Sequence, residues 1–126
     1  MSNTVTLFRP VGPVELKLIE ESGFSAFPPR LPDQPIFYPV TNQEYATQIA
    51  RDWNTRHGST EGFVTRFEVD ADYVSKFERR IVGGREHEEL WVPAEELAQF
   101  NSYIKGKIEV IAHFVAEATS GPGEEQ

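Results

Sequence analysis

Phe24 to Tyr38 reads FSAFPPRLPDQPIFY and holds four of the nine prolines, Pro28, Pro29, Pro32 and Pro35. Proline fixes its own φ, lacks a backbone donor and biases the residue before it toward extended geometry. Such a segment forms a stiff, partly polyproline-like loop that neither helix nor sheet absorbs. Regular structure must therefore be found on either side of it. Two uses are open for the loop. It can wall a binding site, presenting Arg30, Asp33 and Gln34, or its phenylalanines can plug the core.

Working outward, Val5–Phe8 is β-branched and aromatic and reads as a first strand ending at Arg9-Pro10. Pro13–Ser22 reads as a helix with proline at its first position and Gly23 as its stop, although Val14, Leu16 and Leu18 also alternate. Ile36–Tyr38 fits a short buried strand, and Thr41-Asn42-Gln43-Glu44 has the form of a capping box. Tyr45, Ile49 and Trp53, beside Ala46 and Ala50, then predict an amphipathic helix over Asn42–Trp53.

After a polar loop at 54–61, Gly62–Val69 alternates with Phe63, Thr65, Phe67 and Val69 on one face. Asp70 is placed to cap a short helix through Tyr73 and Phe77. Arg79–Val82 and Glu88–Val92 read as strands around a Gly83-Gly84 turn, and Pro93 opens a helix through Leu97 and Phe100. Lys107–Val115 is the last strand, with Ile108, Val110, Ala112 and Phe114 turned inward. The strands are short, the helices few, and no glycine-rich strand-to-helix turn is present. The pattern predicts an α+β fold with mixed or antiparallel sheets.

The 126 residues suffice for one domain, expected over residues 1–115, with residues 116–126 as a disordered acidic tail. Without cysteine the chain has neither disulfides nor a thiolate metal site. No apolar run approaches the roughly 20 residues of a membrane span, and no basic-then-apolar leader opens the chain, so the cytoplasm is the expected location. The net charge is −8, of which Glu117, Glu124 and Glu125 carry three on the tail. That balance argues against a broad nucleic-acid surface while allowing a local cationic site.

His57, His87 and His113 form no HExxH pair, so no metal is expected, and no G-x-S-x-G marks a serine nucleophile. More informative is Arg85-Glu86-His87-Glu88-Glu89-Leu90-Trp91 at the entrance to a strand. Strand alternation puts Glu86, Glu88 and Leu90 on one face and His87, Glu89 and Trp91 on the other. A carboxylate held beside an aromatic in a cleft suits stabilisation of an oxocarbenium-like transition state; the plainer alternative is an edge strand with solvated charges. Arg9, after the first strand, can hold a phosphate or carboxylate through its planar fork, or simply make a surface ion pair. Tyr38 and Tyr45 flank the capped helix and can stack on a flat ring, or serve as half-buried core.

Taken together, LFRPVGP, FPPRLPDQPIFYPV, EYATQIARDWN and HEELWVPAEEL resemble a family of small bacterial proteins labelled "ADP-ribosylation / J-type crystallin". The likeness spans roughly Val5 to Phe114. The all-helical glycohydrolases that share the label are far longer than this β-rich chain, whose order of elements resembles the ADP-ribosyltransferase fold. That resemblance implies small sheets packed as a split sandwich, three to four short helices, and NAD gripped as substrate in a cleft. It implies Arg9 on the NAD phosphates or ribose, Tyr38 and Tyr45 on nicotinamide, Arg30 and Gln34 on cofactor or acceptor, and Glu89 or Glu88 as the catalytic carboxylate. Glu89 is preferred because it shares a face with His87 and Trp91. The Ser-Thr-Ser signature of such transferases is absent, and Pro10 follows Arg9 where many members have glycine. The alternative is a non-catalytic ligand- or peptide-binding module on the same fold.

Overall fold

A computed structural model describes residues 3–54, 61–81 and 88–115. Strand β1 (Thr4–Val11) leads into helix α1 (Pro13–Glu21), and the proline-rich loop then runs to the short strand β2 (Ile36–Phe37). Helix α2 (Gln43–Gln48) widens into a π-helical turn over Ile49–Asn54. Strand β3 (Glu61–Asp70), helix α3 (Ala71–Val74) and strands β4 (Glu78–Ile81) and β5 (Glu88–Pro93) follow. A 3₁₀ turn (Ala94–Glu96), helix α4 (Leu97–Ser102) and strand β6 (Ile104–Val115) complete the order.

Two three-stranded antiparallel sheets result, ordered β1-β3-β6 and β2-β5-β4. Val40 joins them. It pairs with Phe8 on β1 through bonds of 2.9 and 2.7 Å and bridges to Glu89 on β5, while Leu90 N–H donates to the Pro39 carbonyl at 2.9 Å. The fold is thus mixed α+β, with four α-helices among the described residues.

The loop from Phe24 to Tyr38 plugs the core with one phenylalanine and lines a cavity with the residues that follow. Phe27 is 2% exposed and packs against Phe37 and Phe67, with ring centroids 5.1 and 4.8 Å away. Asn101 on α4 clamps it, accepting from Phe27 N–H at 2.9 Å and donating to the Phe27 carbonyl at 3.0 Å. The residues after Phe27 turn outward to line a cavity. At the loop entrance Phe24 takes φ 60°, a costly region for a residue with a Cβ. Its carbonyl is tied to Ile108 N–H at 2.8 Å, and its ring packs on the core.

Several boundaries and faces differ from the sequence expectation. β1 runs through Pro10 to Val11, because it is the outer strand of its sheet, where a missing donor is tolerated. The cap of α2 is Asn42, whose side chain accepts from Tyr45 N–H at 3.0 Å, while Thr41 Oγ1 donates to Glu88 instead. Asp70 caps α3 through Tyr73 N–H as expected, but the helix stops at Val74, before Phe77. On β3, Val64 is buried on the face opposite Phe67, in a second small core with Phe8, Val40, Ala46 and Ala50.

The inward face expected for β6 is divided. The pairing passes from Val64–Ala112 to Thr65–Val110, leaving Ile111 as an extra residue, and a β-bulge of this kind switches side-chain parity. Ile108 therefore reaches the main core, Ala112 and Phe114 join the second core, and Val110 is 40% exposed. The loop at 55–60, the Gly83-Gly84 turn and residues 116–126 lie outside the described residues. No helix among the described residues is long and apolar enough to cross a membrane.

Candidate functional site

A cavity of about 660 Å³ opens between the end of β1, the first turns of α1, the proline-rich loop, α2 and β5. Its wall includes Arg9, Arg30, Gln34, Tyr38, Tyr45 and Glu89. The structure thus gathers, in one hollow, groups spread across some eighty positions of the chain. His87 lies outside the described residues.

Arg9 reaches the hollow because it shares a strand face with Leu7 and Val11, both core residues. Its guanidinium lies over the Phe37 ring, 4.8 Å from the centroid, and only 8% of its side chain is exposed. A buried cation requires a counter-charge. Glu15 supplies it in a bidentate pair, accepting from Nε at 2.7 Å and from Nη2 at 3.0 Å. Arg9 therefore makes an ion pair, as the plainer reading had it, but a largely buried one inside the site. Glu15 went unremarked in the sequence, yet a signal was there. Gly12 and Pro13 turn the chain sharply from strand into helix, and the first acidic residue of that helix comes back over the strand end.

Glu89 is placed by β5 and by the Val40 bridge, and is 9% exposed. Both carboxylate oxygens have donors. Tyr45 Oη–H donates to Oε2 at 2.8 Å and Trp91 Nε1–H to Oε1 at 3.1 Å. The shared face of Glu89 and Trp91 expected from alternation is thus a direct bond, and Arg80 covers the indole at 4.2 Å from its centroid. Burial, then the bond to Glu89 and its negative charge, push the Tyr45 phenol well above its ordinary pKa. Glu88 points elsewhere, accepting from Thr41 Oγ1 at 2.9 Å and facing Arg79 Nη1 at 3.9 Å. Tyr38, 41% exposed, stands at the cavity wall near Arg30.

Arg30 is held by a turn closed twice. Gln34 N–H donates to the Leu31 carbonyl at 2.9 Å, and Leu31 N–H donates to Gln34 Oε1 at 3.3 Å. Pro32 and Asp33 suit its two central positions. Arg30 Nε is buried and meets no acceptor. Burial and the nearby Arg9 charge lower the pKa of its guanidinium, partly offset by Glu15 and Tyr38.

Fold and hollow together define an α+β domain with a concave, charge-lined pocket, within the ~300–1,000 Å³ usual for small-molecule sites. At one side stand two guanidinia and one carboxylate, at another a second carboxylate fixed by two donors. No family model, curated protein or solved structure matches the chain.

Proposed function

We propose that the protein is an ADP-ribosyltransferase-like enzyme of the small bacterial family it resembles, using NAD as substrate and passing ADP-ribose to an acceptor. The observation that carries the reading is Glu89. A carboxylate with both oxygens fixed by donors, on the wall of a cavity, is preorganised to face developing positive charge. The bond between nicotinamide nitrogen and ribose C1′ breaks, the electron pair leaves with nicotinamide, and the ribosyl centre becomes oxocarbenium-like. Glu89 stabilises that cation until the acceptor attacks C1′ and loses its proton. The guanidinium end of the hollow receives the anionic part of the dinucleotide.

Incubation with NAD is expected to release nicotinamide, and Glu89→Gln to slow that release by on the order of 100-fold, the scale of lost electrostatic stabilisation. Equal turnover by wild type and variant would remove Glu89 from the mechanism.

Two observations favour a second reading, a non-catalytic ligand- or peptide-binding module. The fork of Arg9 is already filled by Glu15, and the cavity wall includes exposed Val14, Leu18 and Leu31, as a docking surface would. Should NAD neither raise the melting temperature nor perturb amides near Glu89, the binding module becomes the better account.

A further inference from the structure

We infer that the anion anchor of this cavity is Arg30 on the proline-rich loop rather than Arg9, and that it takes one phosphate or carboxylate group. The inference deepens the reading above. It rests on the hollow being a ligand site, and does not require NAD to be the ligand.

Three features carry it. First, the side-on fork of Arg9 is taken, since Nε and Nη2 both end on Glu15. An incoming anion would have to evict a bidentate, largely buried partner. Second, Arg30 lines the cavity, and its Nε is buried beside it with no acceptor. A buried donor without a partner costs free energy that a ligand oxygen would recover. Third, Arg30 rides on a turn closed by two hydrogen bonds and hemmed by four prolines, so little ordering remains to be done on binding. Gln34 Oε1 is committed to that turn, which leaves its NH₂ group as a second donor for the same ligand.

Charge at this end of the hollow agrees with the ligand class. Arg9, Glu15 and Arg30 act on one another and leave a local excess of one positive charge, Glu89 standing on another part of the wall. That matches one singly charged oxyanion, and a planar guanidinium suits the paired oxygens of a phosphate or carboxylate.

The side-chain Nε–Hε signals of arginine report the contact directly, with the Arg30 signal identified by its loss in Arg30→Lys. Titration of the full chain with inorganic pyrophosphate, and separately with inorganic phosphate and acetate, is expected to move the Arg30 signal and leave that of Arg9 in place. Arg30→Gln is expected to weaken pyrophosphate binding at least tenfold. Arg30→Lys, which keeps the charge and loses the fork, should weaken it by a comparable amount while leaving the melting temperature close to wild type. Stronger response to phosphates than to acetate would assign the ligand group as phosphoryl, and the reverse as carboxylate; either supports the anchor. Movement of Arg9 instead, no movement with any of the three anions, or unchanged affinity in both variants would overturn it. The two proposals fail separately. Pyrophosphate binding at Arg30 without nicotinamide release defeats the transferase and keeps the anchor. Nicotinamide release with an unchanged KM in Arg30→Gln does the opposite.

Discussion

Replacing Tyr45 by Phe removes one hydroxyl from the cavity wall and with it the 2.8 Å bond to Glu89 Oε2. A hydrogen bond to an ionised group contributes about 1.5–3 kcal/mol net. Glu89 keeps its Trp91 donor, and the cavity admits water to the freed oxygen, so the lower end of that range applies, about 1.5 kcal/mol at neutral pH. The loss should also depend on pH, with a definite sign. The folded-state pKa of the phenol is raised, by burial first and Glu89 second. Its stabilisation is therefore complete below the unfolded tyrosine pKa of about 10 and is lost as pH climbs toward the folded value.

At about pH 11 the ionising unfolded chain withdraws at most about 1.4 kcal/mol from wild type, less to the extent that solvent in the cavity screens the pair. Tyr45→Phe has no such group, so the two proteins should converge in stability near that pH. Tyr73, whose pKa is pushed up to about 12 by burial and its bond to Glu96, is present in both and cancels in the difference. Urea denaturation of both proteins at a series of pH values gives the comparison. A neutral-pH gap under about 0.5 kcal/mol, the range of ordinary surface substitutions, would refute the bond. So would a gap that stays constant into the alkaline range.

Phe27→Ala should destabilise by about 3–5 kcal/mol in chemical denaturation, because a fully packed ring between Phe37 and Phe67 is deleted. Asn101→Ala removes both bonds that clamp Phe27, and should cost about 1–3 kcal/mol and accelerate hydrogen exchange at the Phe27 amide; unchanged exchange would show that the prolines alone hold the loop. Glu15→Gln strips the counter-charge from Arg9, and should lower the melting temperature while raising pyrophosphate affinity about tenfold, or ~1.4 kcal/mol by calorimetry. Loss of affinity in that variant would mean that Glu15 organises the anion site instead of opposing the anion with its charge.

Local chemistry made much of the fold legible. Proline at the start of α1, Asp70 before α3 and the alternation of β3 each act within a few residues, and each appears where its physics puts it. What escaped depends on pairing partners distant in sequence. Nothing near Pro10 announces that β1 is an outer strand and can carry a proline. Nor does anything near Ile111 announce a bulge, so the four alternating apolar residues of β6 read as one face, although Ile108 serves one core, Ala112 and Phe114 the other, and Val110 is exposed.

The site was legible for the same reason and to the same depth. Arg9, Arg30, Tyr38, Tyr45 and Glu89 stood out as residue types able to bind or polarise, but their present roles come from neighbours. Val40 decides most of this. By pairing with Phe8 and bridging to Glu89 it binds β1 to β5, so that Glu89 lies across from the end of the strand that carries Arg9. A valine in an irregular segment carries no chemical signal, yet its two backbone bonds to Phe8 and its bridge to Glu89 join the strands that carry the basic and acidic walls. The charged and aromatic residues that wall the hollow can thus be read from their chemistry, whereas the residue that brings them together is recognisable only by the strands it connects.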